Sequence, residues 1–146
     1  MVSNFCLIGK IHHNFLVPRM IELGRQTFMP IQTLDLHRVL VWILFFGSSE
    51  EARNYSCRIS VENKFGNEFI YSGPFHTLDK TEKAIVDSGL LLLIGASAAK
   101  RSLDNENDLK IDVAIQNLKN EAISKASQDF YQTDSDSSLD PDSDSE

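Results

Sequence analysis

The sequence has only two cysteines, Cys6 and Cys57, in 146 residues. That excludes a disulfide-stapled scaffold and a four-cysteine zinc site within one chain, and it favours buried free thiols. Basic residues are also few. There are 14 Lys and Arg against 21 Asp and Glu, and the net charge is -7. No basic stripe is available to neutralise many phosphates, so nucleic acid is not an expected partner. Long apolar runs are missing too. The longest, residues 39–46 and 90–94, fall well short of the roughly 18 residues that a membrane span needs, so no membrane is expected as a partner. The first ten residues lack a basic start, a long apolar stretch and a small-residue cleavage site. A cytoplasmic chain with access to the nucleus is therefore expected, and there the acceptor triplet Asn54-Tyr55-Ser56 has no consequence.

Motifs of catalysis are equally scarce. The sequence holds no Gly-Lys phosphate loop, no paired-glycine dinucleotide turn and no nucleophile elbow. Of the four histidines, His12 and His13 are adjacent, so on a strand their rings point to opposite faces. His37 and His76 stand alone. A metal site needs converging ligands, so no metal, no cofactor and no catalytic residue is expected. Cys57 lies on the apolar face of an alternating segment, where a thiol packs and stays inert. Trp42, Phe45, Phe46 and Phe69 read as core aromatics.

What is present is strand pattern. Residues 39–46 are β-branched, aromatic and leucine side chains ending at Gly47, which predicts a strand buried on both faces. A turn follows over 47–51. Residues 57–61 alternate apolar and polar, 63–67 have hairpin-loop chemistry, and 68–71 form the returning strand. Pro74 ends it. Asp79 with Glu82 fits a capping box for a short helix through Val86, stopped by Gly89. Residues 90–94 read as another buried strand, 97–103 as one or two helical turns, and 105–108 as a polar turn. Residues 109–115 show the clearest alternation in the chain. Residues 1–24 are assigned only as one or two short strands or a leader. Together these predict an all-β antiparallel sandwich over 25–118 with short connecting helices.

The end of the chain has a different character. Leu118, Ala122, Ala126 and Phe130 follow a spacing of four and suggest a marginal helix over 119–132. Residues 133–146 hold six carboxylates and no cation, leaving -1 for the remainder. Such a tail is expected to be disordered. Thr133, Ser137 and Ser143 each have an acidic residue three positions on, which suits an acidophilic kinase. A purely solubilising tail is the competing reading.

Four pieces of the sequence carry a resemblance. They are Phe46-Gly47-Ser48 with Ala52-Arg53-Asn54-Tyr55; Ser56-Cys57-Arg58-Ile59-Ser60-Val61; Ala84-Ile85-Val86-Asp87-Ser88-Gly89-Leu90; and Asn107-Asp108 running into Leu109–Ile115. In order and spacing, residues 39–115 resemble the substrate-binding domain of the seven-in-absentia (Sina/Siah) family of RING ubiquitin ligases. The resemblance implies a TRAF-like eight-stranded sandwich that binds substrate or adaptor peptides and dimerises. It also implies a link to ubiquitin-dependent protein degradation. The family's RING domain and zinc fingers have no counterpart in this sequence, so the expected role is non-catalytic. The expected partners are peptides, a second copy, or a full-length Sina-type ligase. The family's peptide groove maps onto residues 15–31, where Val17 and Met20 are the candidate positions. The alternative is a degenerate or truncated ligase fragment with little binding of its own.

Overall fold

Ten strands form two facing sheets in the computed structural model, which describes residues 2–10, 15–34 and 37–119. The first sheet runs in the order β2 (Phe15–Val17), β1 (Val2–Lys10), β10 (Leu109–Asn117), β6 (Tyr55–Glu62) and β7 (Glu68–Gly73), antiparallel throughout. The second runs β3 (Ile21–Leu23), β4 (Gln26–Leu34) and β5 (Arg38–Phe45). The far side of β5 is shared by β9 (Leu92–Gly95) and β8 (His76–Thr77). Only β8 departs from the antiparallel expectation, lying parallel to the end of β5.

The alternation read from the sequence explains the layering. Leu109, Ile111, Val113 and Ile115 of β10, with Cys57, Ile59 and Val61 of β6, point into the sandwich. They meet Phe28 of β4 and Val39, Val41, Ile43 and Phe45 of β5 from the other sheet. The Phe28 ring packs, tilted, with its centroid 5.4 Å from that of Phe45 and 4.9 Å from that of Phe75. The other face of β5 is covered as well: Leu40 and Trp42 lie under Ile85 of helix α2 (Glu82–Ser88). A strand with both faces covered needs no polar face, hence the unbroken apolar run.

Several boundaries differ from expectation. The sandwich does not begin at residue 25, because β1 lies between β2 and β10 and buries Leu7 completely. Its outward positions include the apolar Ile8, which blurs the alternation in the sequence. Residues 90–94 are not uniformly buried: Leu92 and Ile94 point inward, but Leu93 is 49% exposed. The N-cap of α2 is Thr81, whose hydroxyl accepts from the Ala84 N–H at 3.1 Å, and not Asp79. The Asp79 carboxylate instead accepts from the Thr77 hydroxyl. Gly89 ends α2 at φ 72°. Inside the turn after β5, Ser48 and Glu51 form a reciprocal capping box for the one-turn helix α1 (Ser49–Ala52). Helix α3 (Ala96–Arg101) falls where helical turns were expected. The expected 119–132 helix and the acidic tail lie outside the described residues, apart from Lys119. Among the described residues no helix is long and apolar enough to cross a membrane.

Candidate functional site

β7 is the longest strand lying at an edge of either sheet. Its hairpin with β6 is set by Asn63, whose side-chain oxygen accepts from the N–H groups of Phe65 and Asn67 at 2.9 and 3.0 Å. That turn fixes the register, with Val61 opposite Phe69 and Ile59 opposite Tyr71. Phe69 and Tyr71 therefore lean inward onto the core, while Glu68, Ile70 and Ser72 face out. Ile70 is 47% exposed. The Tyr71 hydroxyl donates to the Pro74 carbonyl at 3.0 Å. Its ring folds over Gly73, where a Cβ would sit 2.6 Å from the phenol oxygen. Burial, with a smaller contribution from Cys57, pushes the Tyr71 phenol up to about 12, so it stays a neutral donor.

The far side of β7 has no strand partner among the described residues. An edge of this kind offers unpaired N–H and C=O groups in a row and invites another chain to pair. Beside it, Arg58 and Glu68 make an exposed ion pair at 3.7 Å. The outward-facing charges of that pair oppose indiscriminate pairing, while Ile70 supplies one apolar anchor.

The candidate positions sit at the opposite edge of the molecule, Val17 as the last residue of β2 and Met20 on the connection to β3, and are 41% and 40% exposed. β2 is three residues long, and Pro18 follows it without an N–H to donate. Val17 and Met20 thus flank a short rim and are not joined to the β7 edge. Sequence reasoning missed β7 as a binding edge. Its pattern shows a strand, but which strand is outermost depends on sheet order, which no local signal contains.

Thr133, Ser137 and Ser143 lie outside the described residues, as do His12 and His13. His76 is buried: its Nε2–H donates to the Leu90 carbonyl at 2.7 Å, and Nδ1 has no partner among the described residues. Burial pulls its pKa below 6.5, the Leu90 bond opposes that, and Lys80 reinforces it. Burial also pushes the Cys57 thiol up to about 12, which makes it a packing residue. Cys6, expected to be buried, is exposed because it alternates with the inward Leu7 along β1.

Among the described residues, one acidic cluster lies in the loop before β10. Asp104, Glu106 and Asp108 bring carboxylate oxygens within 4.8 Å of one another. The Asp104 carboxylate accepts from the N–H groups of Glu106 and Asp108, both at 2.9 Å, and these bonds hold its pKa below the usual range. Lys10 closes on Asp108 at 2.9 Å and supplies a counter-charge. The loop is thereby a self-capped turn that ties β1 to the start of β10. No protein-family model matches the chain, and no curated protein matches it.

Proposed function

We propose that this protein is a non-catalytic binding domain that takes up an extended polypeptide along the free edge of β7. The unpaired six-residue edge, with Ile70 exposed beside it, carries this reading. In strand addition, main-chain hydrogen bonds supply affinity and alternate side chains supply specificity. Two facing sheets, antiparallel except for β8, give support to a TRAF-like reading. With it goes the resemblance to the Sina/Siah substrate-binding domain and a role in ubiquitin-dependent degradation as a substrate or adaptor binder. Pairing with a second copy or with a full-length Sina-type ligase uses the same edge chemistry, and the cytoplasm or nucleus is where such partners are met.

The test is selection of binders from a library of extended peptides, followed by titration against the Ile70→Asp variant. Ile70 is half exposed, so the variant should keep its fold. The reading requires peptides whose affinity drops about tenfold or more in the variant. Equal binding by both proteins, or no binder at all, contradicts it; the second outcome favours a degenerate ligase fragment.

A further inference from the structure

A second site lies just past the end of β7, where α1 faces the segment leading into and out of β8. A cleft of about 290 Å3 opens there, lined by Ser49, Ala52, Arg53, Pro74, Phe75, Thr77 and Lys80. Ala52, Phe75 and Thr77 are buried and form its floor. Arg53 and Lys80 stand exposed at its rim. Neither side chain has an ion-pair partner among the described residues, and no carboxylate lines the cleft. The nearby Asp79 carboxylate is turned to the Thr77 hydroxyl, and Glu51 is held by the cap of α1. Two cations over a walled floor make a receptor for carboxylates.

The chain carries its own ligand of that chemistry. Asp134, Asp136, Asp140, Asp142, Asp144 and Glu146 fall within thirteen residues that include no cation. The route to them starts next to the cleft: the Leu118 N–H donates to the Asn54 carbonyl at 2.7 Å, one residue from Arg53. Residues 120–133 then give a tether that spans up to about 45 Å when extended. A tether of that kind holds its end at roughly millimolar effective concentration. Weak surface ion pairs suffice at that concentration, although they would not suffice in dilute solution.

We infer that the Arg53–Lys80 cleft is a binding site for an acidic peptide segment, and that its resident occupant is this chain's own acidic tail. An acidic partner then gains the cleft only by displacing the tail. This inference does not depend on the β7 edge.

The test uses the full chain and a full chain with the six tail carboxylates changed to Asn or Gln. A peptide of residues 132–146 is titrated into each at low salt while backbone amide resonances are followed. Binding to the neutralised chain should shift Ser49, Arg53, Thr77 and Lys80 and vanish near about 0.5 M salt. Adding Arg53→Gln and Lys80→Gln should weaken it about three- to tenfold. The natural chain should bind the peptide several-fold more weakly than the neutralised one, since its tail competes. Equal affinity of those two chains, shifts located elsewhere, or indifference to the Arg53 and Lys80 changes would overturn the proposal.

Discussion

His76 holds one ring nitrogen against Leu90 and leaves the other buried without an acceptor. Protonation would place a charge and an unpaired N–H in that space. Its folded pKa lies below the unfolded 6.5, so the unfolded chain takes up the proton first as pH falls. The stability contribution is complete above about pH 6.5 and is lost as pH drops through the folded value. The urea midpoint should be lower at about pH 5 than at pH 7.5, and the His76 ring should titrate below 6.5. A midpoint above 6.5 refutes the sign. The thiols give a second check. Alkylation of the native protein should label exposed Cys6 and spare Cys57, with both labelled after denaturation. Gln32 gives a third. Its amide is buried over Gly9, and neither its nitrogen nor its oxygen is bonded among the described residues. Gln32→Met keeps the shape and removes the desolvated polar atoms, and should raise stability by about 1–3 kcal/mol; a loss of that size would show that the amide is satisfied in solution.

At the scale of elements, what was legible followed from how local the cause is. β10 and β6 were readable because one face of each is wholly apolar, and β5 because α2 covers its second face. β1 was not readable, because Ile8 on the outward side disguises its period. The start of α2 was misplaced by two residues because Asp79, Thr81 and Glu82 all suit a helix entrance, and only the Thr77–Asp79 contact removes Asp79 from it. Thr81→Ala should therefore cost about 1 kcal/mol and Thr81→Ser little, read as shifts of the thermal midpoint. An unchanged midpoint in Thr81→Ala would return the cap to another residue. The candidate site was less legible than the fold. Val17 and Met20 follow only from the resemblance, and the β7 edge exists only once the order of strands is fixed.

At the scale of the molecule, two sheets close over an apolar middle and leave, among the described residues, an unpaired row of main-chain groups along the end strand β7. The proposed binding by strand addition rests on that row. The most direct measurement is amide hydrogen exchange, residue by residue, with and without a selected extended peptide. Exchange should slow at alternate positions along Glu68–Gly73, where the outward N–H groups gain partners. Protection confined to other strands, with β7 unchanged on binding, would contradict it.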